Sequence, residues 1–221
     1  MAQARTIRAD QICAVVLAGG EGRRMGGVDK GLQTLGGKPL ALHAIERLQG
    51  QTLGAPRTLA LNANRNLENY AAWGFAVWPD TVGGFAGPLA GFHTALARCD
   101  SDHGYLLTVP CDSPLFPLDL LERLALGLES GAHSIAMASA ADGPGDSSLR
   151  RQPVFCLIRT SLRASLEEFL ASGGRKIDAW TQAQGQIDVP FDQPDDDPRA
   201  FFNANTLAEL QTLQTAPPHS L

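Results

Sequence analysis

The chain has 221 residues, of which 44% are hydrophobic and 19% charged, and its net charge at pH 7 is -5. That is ordinary globular composition, long enough for one domain with a single core, and it excludes a disordered or fibrous chain. The acidic balance argues against a nucleic-acid binder, whose basic face usually dominates its charge. No apolar run approaches a membrane span, and residues 1–10 lack the apolar core of a signal peptide. Cys13, Cys99, Cys111 and Cys156 are scattered without a C-x-x-C pair. They read as thiols in a reducing compartment, so a cytoplasmic location is expected.

In chain order, residues 12–17 form a continuous apolar run, as expected of a strand covered on both faces. A glycine-rich loop follows. Pro39 is expected to open a helix, because Ala41, Ala44, Ile45 and Leu48 then recur at helical spacing. Residues 58–61 read as a strand ending at Asn62, and 75–78 as another ending at Pro79-Asp80. Pro88 introduces a helix over 89–97, and 105–109 is a strand that empties into Pro110-Cys111-Asp112.

Pro117 is expected to start a helix with Leu120, Leu121, Leu124 and Leu128 on one stripe. Strands are predicted over 135–138 and 154–158, with a turn at 142–146 between them. Leu162, Leu166, Phe169 and Leu170 line a helix that Gly173-Gly174 ends, and 187–191 is the last strand. The acidic stretch 193–198 reads as exposed loop. Thr206 and Glu209 fit a capping box that begins a C-terminal helix, and 216–221 reads as a frayed tail.

This alternation predicts an α/β fold, a three-layer αβα arrangement around a mostly parallel sheet. Ligands of such sheets bind at the carboxyl ends of the strands. The loop from Leu17, then Asn62, Asp80 and Asp112, all fall just after predicted strands and should converge on one edge.

The loop Leu17-Ala18-Gly19-Gly20-Glu21-Gly22-Arg23-Arg24-Met25-Gly26-Gly27-Val28-Asp29-Lys30 holds five glycines and three cations. Glycines let backbone N–H groups approach an anion closely, and Arg23, Arg24 and Lys30 supply the charge a triphosphate needs. A tight turn alone would need only one or two of those glycines. The dinucleotide fingerprint G-x-G-x-x-G fails at Met25, and the P-loop pattern fails because Gly37-Lys38 is followed by Pro39. The loop is therefore a phosphate cradle of a third kind.

The loop resembles the signature of nucleotidyltransferases that activate sugars and cofactors. Its run Arg24 to Gly31 is most similar to molybdenum cofactor guanylyltransferases. Gly87-Pro88-Leu89-Ala90-Gly91, Val109-Pro110-Cys111-Asp112-Ser113-Pro114 and Phe202-Asn203-Ala204-Asn205-Thr206 agree with it, so the resemblance runs from about residue 12 to 210. It implies a Rossmann-like nucleotidyltransferase fold in one domain over 1–221. A GTP-binding half would span about 12–110 and a molybdopterin-binding half about 111–215.

The activity implied is transfer of GMP from GTP to the terminal phosphate of molybdenum-loaded molybdopterin, with release of pyrophosphate. Molybdopterin cytidylyltransferases and sugar-phosphate nucleotidyltransferases are the neighbouring readings, and a GTP-binding regulator the non-enzymatic one.

By residues, Asp112 stands at the end of an apolar strand, where a carboxylate either binds something or caps the next helix. The resemblance makes it the magnesium ligand. Lys30 matches the nucleotide-binding lysine, and Arg24 is a second phosphate contact. These three are the expected catalytic residues. GTP is expected along Leu17, Ala18, Gly19, Gly20, Gly22 and Lys30, with Asn62, Asp80 and Asp112. Asp29 could pair with a neighbouring cation and order the loop.

A carboxylate accepts the N1–H and N2–H₂ donors of guanine, which adenine lacks, but either Asn62 or Asp80 could read the base and the other the ribose. Arg175, Lys176, Asn203 and Asn205 are the expected molybdopterin contacts, with Arg151 behind them. Asn203 and Asn205 also fit an Asx turn before Thr206. Cys111 reads as a small packing residue, and the five histidines show no metal-ligand spacing. The partners expected are GTP and molybdopterin, with transient contact to molybdoenzymes and other cofactor-biosynthesis proteins, no nucleic acid, no membrane, and a monomeric state.

Overall fold

The computed structural model describes residues 6–19, 28–81, 87–99, 103–141, 148–204 and 206–215. The strands are β1 (Ile12–Leu17), β2 (Thr34–Leu35), β3 (Lys38–Pro39), β4 (Thr58–Asn62), β5 (Ala76–Trp78), β6 (Tyr105–Pro110), β7 (Ile135–Ala140), β8 (Arg150–Arg159) and β9 (Gln186–Phe191). The helices are α1 (Leu40–Gln49), α2 (Leu67–Ala71), α3 (Pro88–Arg98), α4 (Leu120–Glu129), α5 (Arg163–Ala171), α6 (Ile177–Ala183) and α7 (Leu207–Thr215).

Seven strands form one sheet in the order β5-β4-β1-β6-β8-β7-β9, and β2 and β3 make a separate hairpin. β1 pairs parallel with β4 and β6, and β4 pairs parallel with β5. β8 is antiparallel to both its neighbours, β6 and β7, while β7 and β9 are parallel. Six strands therefore point the same way and β8 alone runs against them.

The continuous apolar runs behave as strands buried on both faces. Ile12, Ala14 and Val16 face a core shared with Ala44, Ile45 and Leu48 of α1 and Leu121, Leu124 and Leu128 of α4. Cys13 and Val15 face the opposite core, with Leu89 and Phe92 of α3, Leu166 and Leu170 of α5 and Trp180 of α6. The αβα layering read from the alternation is what the chain forms.

Local outcomes refine several expectations. Pro88 is the first residue of α3, where its missing N–H leaves no bond unmade. Pro39 does not open α1 in that way: it pairs with Thr34 in the hairpin and precedes the first helical residue, Leu40. Pro117 likewise sits three residues ahead of α4, its carbonyl accepting from Leu120 N–H. The short elements β2, β3, α2 and α6 carry too few residues for periodicity to show. β8 is longer than expected because its first residues, Arg150 and Arg151, pair with the end of β7 while exposed.

The Thr206 capping box forms reciprocally: Glu209 N–H donates to Thr206 Oγ1 at 3.1 Å, and Thr206 N–H to Glu209 Oε2 at 2.9 Å. Leu210 of α7 then packs with Leu40 and Ala204, which brings the C-terminal segment back over the hairpin. No helix among the described residues is long and apolar enough to cross a membrane.

Candidate active site

Because β1, β4, β5 and β6 are adjacent and parallel, their carboxyl ends lie side by side, and the chain segments leaving them are hydrogen-bonded together. Ala18 N–H donates to Asn62 O at 2.8 Å, and Cys111 N–H donates to Leu17 O at 3.1 Å. The loop after β1 is thus anchored on both sides. Leu17 and Ala18 contribute anchoring and shape, since the Ala18 N–H and the Leu17 carbonyl are spent within the protein. Gly19 lies so close to the end of β4 that a Cβ there would stand 2.9 Å from Asn64 Nδ2. Gly20, Gly22 and Arg24 lie outside the described residues, as do Arg23 and Asn205.

The first cluster holds Asp80. Asn62 Nδ2 donates to Asp80 Oδ1 at 2.8 Å and to Trp78 O at 2.9 Å. Asn64 Nδ2 donates to Asp80 Oδ2 at 2.7 Å, and Asp80 N–H returns a bond to Asn64 Oδ1 at 2.8 Å. Asn62 is 3% exposed and its amide hydrogens are both used, so its geometry suits holding Asp80. Asp80 is the more accessible of the two. Asn64 was missed from sequence, although Asn62-Ala63-Asn64 repeats the N-A-N spacing of Asn203-Ala204-Asn205 and places both amides on one side of an extended chain.

The second cluster joins Lys30 to Asp112. Lys30 Nζ lies 2.8 Å from Asp112 Oδ2, with the side chains 20% and 15% exposed. Two residues 82 apart in sequence are therefore one ion pair at the mouth of β1 and β6. Sequence suggested that Asp29 could pair with a neighbouring cation; Arg23 and Arg24 lie outside the described residues, and among the described ones its partners are neutral. Its carboxylate accepts from three uncharged donors: Tyr70 Oη at 2.5 Å, Asn66 Nδ2 at 3.0 Å and Gly31 N at 3.2 Å. Cys111, beside Asp112, is buried. Burial, reinforced by the Asp112 charge, pushes its thiol well above the usual range, so it stays protonated and packs.

Asn203 meets this second cluster from the C-terminal side. Ser113, 0% exposed, donates from Oγ to Asn203 Oδ1 at 2.6 Å, and Ala204 N–H donates to Asp112 O at 2.8 Å. Ser113 was also missed; only its place beside Asp112 hinted at it.

Arg175 and Lys176 lie between α5 and α6, where the chain returns to the carboxyl edge. Arg175 Nη1 bonds the carbonyls of Leu170 and Gly174 at 3.3 and 2.7 Å, closing the end of α5. Lys176 is exposed at the start of α6. Arg151 forms a surface pair with Asp188 at 2.9 Å. The acidic stretch 193–198 is less open than expected, since Asp196 takes Arg123 Nη1 at 2.7 Å.

The fold is thus an α/β one, with a cation–carboxylate pair and a second, amide-held carboxylate along one edge of a largely parallel sheet. The likeness to solved structures agrees. Molybdopterin-guanine dinucleotide biosynthesis protein A from Archaeoglobus fulgidus superposes with a TM-score of 0.70 at 21% identity, covering 91% of this chain and 96% of that one. A 4-diphosphocytidyl-2C-methyl-D-erythritol synthase from Anaerococcus prevotii gives a TM-score of 0.68 at 12% identity, covering 93% and 95%.

The chain belongs to the MobA-like NTP transferase family, whose domain model matches residues 14–187. It is 54% identical over 213 residues to the molybdenum cofactor guanylyltransferase of Albidiferax ferrireducens, covering 96% of this chain and 99% of that protein. It is 48% identical over 206 residues to the molybdenum cofactor guanylyltransferase of Bordetella pertussis, covering 93% and 98%.

Proposed function

We propose that this nucleotidyltransferase transfers GMP from GTP to the terminal phosphate of molybdenum-loaded molybdopterin. An acceptor phosphate oxygen bonds to the α-phosphorus, the bond from that phosphorus to the bridging oxygen breaks, and pyrophosphate leaves. The observation that carries this reading is the Lys30–Asp112 pair, 2.8 Å apart where the phosphate loop and the acceptor-side segment meet. No protein nucleophile is required. The chain's work is to align two anions and to offset charge on the leaving pyrophosphate.

Each residue then has a task. Lys30 neutralises phosphate oxygens, assisted by Arg24, while the loop through Leu17, Ala18, Gly19, Gly20 and Gly22 sets the triphosphate's path. Asp80 accepts from guanosine, oriented by Asn62 and Asn64. Asn203, held by Ser113, contacts molybdopterin, and Arg175, Lys176 and Asn205 are its further contacts in this reading. GTP would occupy the half over about 12–110 and molybdopterin the half over about 111–215.

A magnesium ion fits these residues. Asp112 is partly exposed at a strand end, and Mg²⁺ takes one or two carboxylates together with phosphate oxygens and water. Among the described residues no group of three or more His, Cys, Asp or Glu could cage a metal, so Asp112 would hold it with the substrate's own oxygens. When bound, the ion supplies further charge neutralisation on the triphosphate. We read the protein, from its scattered cysteines without a C-x-x-C pair, as cytoplasmic, and as a monomer that contacts molybdoenzymes and other cofactor-biosynthesis proteins transiently.

Calorimetric titration with GTP, CTP and ATP, each with and without magnesium, tests the base assignment. GTP is expected to bind at least tenfold tighter than the others, about 1.4 kcal/mol. Preference for CTP would make the chain a cytidylyltransferase. GTP binding without pyrophosphate release on addition of molybdopterin would make it a GTP-binding regulator.

A further inference from the structure

The Asp29 carboxylate has no task in the reaction above, yet it is among the most closely held groups described. It is 9% exposed and would be costly to bury without donors. Asn66, which precedes α2, and Tyr70, within it, supply two of its three bonds, so both come from one short element.

Both donors are themselves constrained. Asn66 is the one non-glycine among the described residues in the left-handed region, at φ 50°, a conformation disfavoured without compensation. Tyr70 is wholly buried. Burial, then its bond to Asp29, pushes its phenol far above the usual range, so it keeps the proton it donates. Gly31, the third donor, admits the Tyr70 hydroxyl only because it lacks a Cβ, which would overlap that oxygen.

Lys30 lies between Asp29 and Gly31, at the start of a 3-10 turn that Asp29 caps. Fixing the carboxylate of residue 29 and the N–H of residue 31 fixes the backbone from which the Lys30 side chain departs. The three neutral donors hold the Asp29 carboxylate in place, while the Lys30 ammonium bonds Asp112.

We infer that Asp29, Tyr70 and Asn66 form a clamp that positions Lys30 for the nucleotide's phosphates: α2 acts on the phosphate site without touching the substrate. Asp29, Tyr70 and Asn66 are positioning residues. The inference rests on the reading of Lys30 as a phosphate contact.

The test is a double-mutant cycle on GTP affinity, measured by calorimetry with magnesium, in the full chain. Lys30→Ala should raise the Kd for GTP by tenfold or more. Tyr70→Phe, which removes one oxygen and keeps the ring, should raise it about fivefold. In the Lys30→Ala background the same Tyr70→Phe change should alter Kd by less than twofold, because residues that act through one another are not additive. Asn66→Gly, which tolerates the left-handed turn and removes the amide, should show the same dependence on Lys30, and serves if Tyr70→Phe folds poorly.

Equal losses in both backgrounds would mean that the cluster supports the fold generally, and would overturn the clamp. An unchanged Kd for Tyr70→Phe and Asn66→Gly beside a weakened Lys30→Ala would also overturn it, while leaving Lys30 as a phosphate contact. Unchanged affinity in Lys30→Ala alone would sink both readings together.

Discussion

Asp112 illustrates how a single charge is made tolerable and useful. It follows a strand whose six residues are all buried, and its Oδ2 is held by Lys30 at 2.8 Å. Asp112→Asn keeps the shape and removes the charge. It should lower kcat about 100-fold or more, about 2.7 kcal/mol of transition-state stabilisation, with a much smaller change in metal-free GTP affinity. Single-turnover pyrophosphate release beside calorimetry separates the two, and unchanged turnover would remove Asp112 from the mechanism.

Cys156 makes a different prediction at the same scale. It is fully buried, its Sγ donates to Pro153 O at 3.2 Å, and burial, then the charges of Asp178 and Asp188, raise its thiol above the ordinary value of 9.0. Below that value neither folded nor unfolded chain ionises the thiol. Above it the unfolded chain does so first, so stability falls as pH rises, at up to ~1.4 kcal/mol per pH unit for each such group. Urea midpoints should be flat near neutrality and decline above about pH 9.0. Cys156→Ala should make that decline shallower, and an equally steep decline in the variant would assign it to other groups.

At the scale of elements, the site depends on how closely α3 approaches the end of β4. A Cβ on Gly91 would lie 2.6 Å from Asn62 Oδ1 and 2.9 Å from Leu17 Cδ2. Alanine is the better helix former by up to ~1 kcal/mol, but overpacking a filled space costs about 1–3 kcal/mol, and here the Asn62 side chain is held by hydrogen bonds. Gly91→Ala should therefore destabilise the fold and weaken GTP binding by displacing Asn62 and with it Asp80. Unchanged GTP affinity in a folded variant would show that Asp80 does not depend on this contact.

The elements that sequence missed matter for the same reason. α2 has five residues and β2 and β3 two each, too short for a period, yet α2 supplies Tyr70 and the β2–β3 hairpin lies in the path of α7. Their existence follows from contacts distant in sequence, such as Tyr70 with Asp29 and Leu210 with Leu40.

For the molecule as a whole, the strand order places the end of β1, Asp80 and Asp112 along one edge, and the reversed strand β8 fills the space between β6 and β7. The sequence by itself determined the α/β class, the two-faced burial of β1, the position of a glycine-rich, cationic loop after it, and the placing of Asp80 and Asp112 at strand ends. Apolar runs, glycines and strand-end carboxylates are local signals, and each of these rests on them. Only the tertiary structure decided that Lys30 bonds Asp112, that Asn62 and Asn64 grip Asp80, that Ser113 ties Asn203 to the segment after β6, and that β8 runs against its neighbours. Those are pairings across 16 to 90 residues of chain. No local pattern encodes them, because which donor meets which acceptor is settled by strand order and by the packing of helices on both faces of the sheet.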